Sequence, residues 1–230
     1  MDQYFILIGG GEIKSKETLP IDTEICSFAR RLFPDKRPFA LFVGTASHDF
    51  MPYYNSFHKT YTGVLDVKTD VALSVYRTST DVEGKFAKAD IIYVGGGDTP
   101  FLVEKWGETG YKEFILDAQK RGAIVCGLSA GAICWFDKMF TDAGRDGDHE
   151  YHVTKGLGVL PGNACPHANL RGAELIQYVA EGESWYCLSD NSAIVFKNGA
   201  LIGSIGDGDA YVLSKAHGEL KKENIAKTQL

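Results

Sequence analysis

Short apolar runs alternate with amphipathic stretches through the first two thirds of the chain. Tyr4–Ile8, Phe39–Val43, Ile91–Val94 and residues 123–126 are apolar on both faces, as parallel strands covered by helices on each side must be. Between them lie helical patterns. Leu19–Leu32 places Ile21, Ile25, Phe28, Ala29 and Leu32 on one stripe, with Pro20 near its start. Tyr111–Lys120 carries Phe114, Ile115 and Ala118, and Gly122 follows its basic end as a helix stop. Strand alternating with helix predicts an α/β fold, a mostly parallel doubly wound sheet flanked by helices. The last third changes period. Residues 175–180 continue a helix, then 192–196, 200–205 and 210–213 are closely spaced β-like runs. Asn198-Gly199 turns between the first two. These predict antiparallel strands near the C-terminus, followed by a polar tail, 221–230, that frays or forms a short terminal helix.

Composition narrows the class. A chain of 230 residues, 44% apolar and 23% charged, fits a single globular α/β domain spanning 1–230. Its net charge of -6 argues against a nucleic-acid or anionic-membrane partner. Five scattered cysteines without a CxxC pair read as reduced thiols. With no basic n-region and no long apolar run, the expectation is a cytoplasmic protein.

The chemistry concentrates at Gly127-Leu128-Ser129-Ala130-Gly131, a G-x-S-x-G segment between a buried strand and a predicted helix. A sharp strand-to-helix turn strains the serine and projects its Oγ above the sheet. The next N–H, that of Ala130, faces the same point and suits an oxyanion. A serine nucleophile needs a base. Of the six histidines, His167 in Cys165-Pro166-His167 is the best placed, just after the apolar run 157–160 and read as a strand end. His149 and His152, amid Asp146, Asp148 and Glu150, read as a solvated loop rather than a metal site. The acid that orients the base is open among Asp137, Asp142, Asp146, Asp148, Glu150 and Asp190. The chain order, with histidine soon after serine, argues against the α/β-hydrolase family.

Two glycine clusters remain. Gly9-Gly10-Gly11 follows the first strand but lacks G-x-G-x-x-G, which speaks against a dinucleotide site. Gly95-Gly96-Gly97-Asp98-Thr99 follows the Ile91–Val94 strand, one strand from the serine turn. Its bare N–H groups suit an oxyanion hole, the alternative being a helix-start loop capped by Asp98 or Thr99.

These segments, with Leu160-Pro161-Gly162-Asn163-Ala164-Cys165-Pro166-His167, together resemble the serine peptidase family of peptidase E (aspartyl dipeptidase) and cyanophycinase. The resemblance covers most of the chain. It implies a class I glutamine amidotransferase-like fold with serine as nucleophile, and hydrolysis of small peptides, in peptidase E after an N-terminal aspartate. It implies Ser129 as nucleophile and His167 as base, with Gly96 or Gly97 and Ala130 as oxyanion donors. Asp142 fits the place of the acid best, and Asp190 is the second choice. Arg171 matches an arginine that holds the substrate's aspartate, and Asp98 and Thr99 join it as substrate-binding candidates. No metal or organic cofactor is implied. The substrate is a small peptide, and the oligomeric state, monomer or homodimer, stays open.

Overall fold

A computed structural model describes residues 1–75, 81–143 and 150–230. The apolar runs form strands β1 (Tyr4–Ile8), β2 (Phe39–Val43), β4 (Ile91–Val94) and β5 (Ile124–Leu128), and the polar stretch Lys68–Ala72 forms β3. Helices α1 (Leu19–Leu32), α2 (Met51–Gly63), α3 (Val82–Lys88), α4 (Thr99–Thr109), α5 (Tyr111–Lys120) and α6 (Ala130–Ile133) lie between and after them. Beyond α6 come β6 (Lys138–Thr141), β7 (His152–Lys155), β8 (Asn163–Cys165), α7 (Ala168–Leu175) and β9 (Ser184–Leu188). The chain ends in β10 (Ser192–Lys197), β11 (Ala200–Gly206), β12 (Ala210–Ala216) and β13 (Glu219–Asn224).

Thirteen strands make two sheets among the described residues. The first runs β11-β10-β1-β5-β4-β2-β3. Its members from β1 to β3 are parallel, and the β10–β11 hairpin adds to β1 antiparallel. Asn198 and Gly199 both take positive φ, 51° and 80°, at the hairpin turn, as a two-residue turn matched to strand twist requires. Apolar positions alternate between two cores. Ile6, Ile8, Phe42 and Tyr93 pack with Ile21, Ile25, Phe57 and Tyr61 of α1 and α2. Phe5, Leu7, Val43 and Val125 pack with Leu102, Trp106, Tyr111 and Ile115 of α4 and α5 on the opposite face. This double burial is why these strands carry no polar positions.

The second sheet, β13-β12-β9-β8-β6-β7, is mixed. β8 pairs parallel with β6 and β9, while β12 and β13 add antiparallel. Met139, Ala164, Leu188 and Ala210 join the α4–α5 core. Phe140, Trp185, Cys187 and Leu213 close a third cluster under α7. The hydrophobic core therefore runs from one sheet into the other.

Three expectations change. Residues 219–224 pair with β12 as β13, so much of the supposed frayed or helical tail is a strand. All six are exposed, which removes the alternation that would announce a strand, and Lys221 and Lys222 suit a solvent-facing edge. The helix expected to continue through 175–180 ends as an α-helix at Leu175 and closes with a 3₁₀ turn at Ile176–Tyr178. The strand before His167 is not the apolar run 157–160 but the three-residue β8. Among the described residues, no helix is long and apolar enough to cross a membrane.

Candidate active site

The serine turn is built by its neighbours. β5 ends at Leu128, and Ser129 takes φ 51° and ψ −110° before α6 begins. An L-residue adopts that conformation only under constraint. The constraint is visible: Ser129 N–H donates to the Ile8 carbonyl of β1 at 2.9 Å. A Cβ on Gly127 would stand 2.0 Å from the Gly131 carbonyl oxygen, and one on Gly131 would stand 2.2 Å from that of Val94. Both glycines of G-x-S-x-G are thus demanded by close backbone packing.

His167 follows β8 by one proline and is also left-handed, at φ 49°. Its N–H donates to the Gly9 carbonyl at 3.0 Å. Its Nε2 lies 2.9 Å from Ser129 Oγ, and its Nδ1 lies 2.6 Å from Asp190 Oδ1. Since an ionised carboxylate only accepts, Nδ1 carries the proton and Nε2 is free to accept from Ser129. Asp190, just after β9, is fixed in turn: Asn169 Nδ2 donates to its Oδ2 at 3.0 Å, and its own N–H donates to Asn169 Oδ1 at 2.9 Å.

The first glycine cluster now has a purpose other than nucleotide binding. A Cβ on Gly10 would stand 1.9 Å from Asp190 Oδ1 and 2.3 Å from His167 Nδ1. The Gly10 carbonyl accepts from Asn191 N–H at 3.1 Å. The end of β1 is bare so that the imidazole–carboxylate pair can rest on it.

Several sequence-predicted residues sit elsewhere. Asp142 does not meet His167; its Oδ1 accepts from Arg171 Nη2 at 2.9 Å, and Asp190 holds the place beside the imidazole. The cause is the second sheet. β8 and β9 are adjacent and parallel, with Cys165 opposite Cys187, so the residues just beyond their ends, His167 and Asp190, come together. Arg171 is one turn along α7 from His167, its side chain 15% exposed, with the Tyr151 ring 5.6 Å from its guanidinium carbon. Gly96, expected to offer a free N–H, donates it to the Tyr53 hydroxyl at 3.2 Å. Gly97, at φ 140°, is held against the Ala46 carbonyl, where a Cβ would approach to 2.2 Å. Asp98 and Thr99 serve α4: Asp98 Oδ1 accepts from Phe101 N–H at 2.9 Å as an N-cap, and Thr99 is buried. Asp137 Oδ2 accepts from Gly162 N–H. Asp146, Asp148 and His149 lie outside the described residues. His152 Nδ1 lies 3.0 Å from the Glu150 carbonyl. Asn169 and Tyr53 went unnoticed in the sequence, since neither lies in a motif.

A strained serine on a strand–turn–helix, hydrogen-bonded to an imidazole, at the carboxyl end of a parallel sheet places the protein among α/β enzymes of the serine-hydrolase class. Residues 5–203 match the model of peptidase family S51, and the chain belongs to that family. It is a serine-type peptidase. It is 34% identical over 168 residues to the uncharacterized peptidase YgaJ of Bacillus subtilis (strain 168), a match covering 73% of this chain and 69% of that protein. Its fold is similar to a crystal structure of a peptidase from an acI-B1 Actinobacterium (TM-score 0.68, 18% identity, 99% of this chain and 98% of that one). It is likewise similar to a putative peptidase E protein of Listeria monocytogenes EGD-e (TM-score 0.67, 19% identity, 90% and 100%).

Proposed function

We propose that the protein hydrolyses short peptides through a Ser129–His167–Asp190 triad and prefers dipeptides with an N-terminal aspartate. The hydrogen-bonded line from Ser129 Oγ through the imidazole to Asp190 carries the reading. As Oγ attacks the scissile carbonyl, its proton passes to His167 Nε2, and the carbonyl π electrons collect on oxygen. Asp190 stabilises the imidazolium, and Asn169 keeps that carboxylate in place. The oxyanion faces Ala130 N–H at the start of α6, where no intrahelical acceptor exists for it. The imidazolium then protonates the departing amine. A water molecule, deprotonated by His167, cleaves the acyl-enzyme.

Arg171 supports the aspartate preference. It lies one turn from the base, in a half-enclosed position, and a guanidinium has five N–H donors. Asp142 engages it through Nη2, and the remaining N–H donors of the guanidinium suit a second carboxylate. A panel of Asp-X, Ala-X and β-aspartyl dipeptides with simple esters tests the reading. Asp-X should be the best substrate. Arg171→Ala should lower kcat/KM for Asp-X at least tenfold more than for Ala-X, because losing a desolvated charge-assisted contact costs roughly 2–5 kcal/mol. Equal losses for both substrates would remove Arg171 from recognition. Hydrolysis of esters alone would remove the dipeptidase assignment.

A further inference from the structure

The connections that follow β1 and β2 enclose a cavity of about 350 Å³, walled by Glu12, Lys14, Phe50, Pro52, Tyr53 and Ser56. Small-molecule sites run from roughly 300 to 1,000 Å³. The strand order β1-β5-β4-β2 fixes where the cavity lies. β5 and β4 run between its two walls, so it spans their carboxyl ends, where open α/β sheets take their ligands. One wall is a single residue from the nucleophile. Tyr53 Oη accepts from Gly96 N–H at 3.2 Å, and a Cβ on Gly96 would stand 3.3 Å from Ser129 Cβ. The other wall, Glu12, is two residues past Gly10, where a Cβ would stand 2.3 Å from His167 Nδ1. Neither Ser129 nor His167 lines the cavity, so it suits a part of the substrate next to the reacting bond rather than the bond itself.

Phe50 is 59% exposed at this cavity, and the chain holds it there against local preference. His48 and Asp49, just before it, are both left-handed, at φ 53° and 54°, a costly pair for residues with side chains. Asp49 is pinned: its Oδ2 accepts from Ser74 and Val75 N–H at 2.7 Å each, and its own N–H donates to the Gly44 carbonyl at 2.9 Å. Asp98 N–H donates to the Ala46 carbonyl at 2.7 Å, which ties this loop to the glycine loop beside Ser129. A fixed aromatic ring that faces water gains when an apolar group covers it. Pro52 and the Tyr53 ring extend the apolar wall, and the opposite charges of Glu12 and Lys14 leave the cavity without a net charge of its own.

We propose, resting on the peptidase reading above, that this cavity receives the residue after the scissile bond, the X of Asp-X, and that Phe50 makes it favour large apolar side chains. Arg171, assigned to the aspartate, lies with His167, which is tied to Gly9 at the end of β1. The Tyr53–Phe50 wall lies on the β4 and β2 side of Ser129. The acyl and leaving halves of a dipeptide depart from the scissile carbon in opposite directions. A substrate whose aspartate reaches Arg171 therefore sends its leaving residue toward Phe50.

The test is kcat and KM for Asp-Gly, Asp-Ala, Asp-Leu and Asp-Phe, with the wild type and three variants whose folding is checked by thermal melts. In the wild type, kcat/KM should rise by about tenfold from Asp-Gly to Asp-Phe, as apolar contacts in a pocket allow. The rise should fall chiefly on KM, since the leaving side chain is bound alike in ground and transition states. Phe50→Ala removes one wall and Ser56→Trp fills the space; each should erase most of that tenfold ratio. If Ser56→Trp does not fold, Phe50→Ala, a change at an exposed position, decides alone. Val64→Ala, 51% exposed just past the far end of α2, should keep the wild-type ratio. A wild type that cleaves Asp-Gly and Asp-Phe equally well would overturn the assignment and leave the peptidase reading standing. So would a folded Phe50 or Ser56 variant that keeps the full ratio, or an equal loss in Val64→Ala. A wild type that cleaves none of the four would overturn the Asp-X reading and this one together.

Discussion

At the scale of single residues, the division between Asp142 and Asp190 matters most. Both were visible as candidates, and the resemblance favoured Asp142. The structure puts Asp142 on Arg171 and Asp190 on His167. The two carboxylates therefore have separable effects. Asp190→Asn should favour the wrong tautomer of His167 and cost about 10⁴ in kcat, by analogy with a triad of this type. Asp142→Asn should leave the triad intact and change kcat far less, acting through Arg171 on the KM for acidic substrates. Steady-state kinetics of both variants on one Asp-X dipeptide decide it; the reverse ranking would return Asp142 to the base. Ser129 and His167 were legible because each occupies a local pattern: a glycine-flanked turn, and a Pro-His at a strand end. Asp190 has no such pattern. Its partner is set by two strands, β8 and β9, whose adjacency is a tertiary fact. Gly10 was legible as a glycine but not as the floor beneath the imidazole, for the same reason.

At the scale of elements, strands buried on both faces and the amphipathic helices α1 and α5 could be read from periodicity, with α1 and α5 ending where the pattern ends. The missed strands share a property. β3 and β7 are part-exposed, β6 has only two apolar residues between Lys138 and Thr141, β8 has three residues, and β13 is exposed throughout, so none presents a sustained apolar run. Within α1 one residue breaks the apolar rule. Asp22 is fully buried, accepting from Thr18 Oγ1 and from Tyr61 Oη, each at 2.8 Å. Desolvation outweighs those bonds and pushes its pKa from 3.8 up to about 6. The folded chain then binds more protons than the unfolded chain between these two values. The stability this gives is complete below pH 3.8 and is lost as pH rises through about 6. Asp22→Asn, whose amide satisfies both partners without charge, should therefore be more stable than wild type at pH 7.5. The gain should be at most roughly 3 kcal/mol and should shrink toward zero near pH 4. Thermal melts of both proteins across pH 4–8 measure it; a difference independent of pH would show that Asp22 does not titrate with folding.

At the scale of the whole molecule, the site is a joint between two sheets. Ser129 comes from β5 of the first sheet; His167 and Asp190 come from the ends of β8 and β9 in the second. The first sheet was legible, being built of doubly buried parallel strands. Of the antiparallel strands predicted near the C-terminus, β10 and β11 join the first sheet and only β12 joins the second; the rest of the second sheet was hard to read because its central strand β8 is short and its edge β13 is polar. The sheets are held in register by their shared core, in which Leu188, two residues before Asp190, packs with Leu7 and Val125. The C-terminal end of β1 also touches both partners, through Ile8 to Ser129 and the following Gly9 to His167. We propose that this joint makes Ser129 a nucleophile. The most direct measurement is the mass of the active-site peptide after reaction with a fluorophosphonate, paired with dipeptide hydrolysis by Ser129→Ala. One adduct is expected, on Ser129, and a variant that folds normally while losing about 10⁴–10⁶ in kcat. An adduct on another residue, or a Ser129→Ala protein retaining a tenth of wild-type activity, would contradict it.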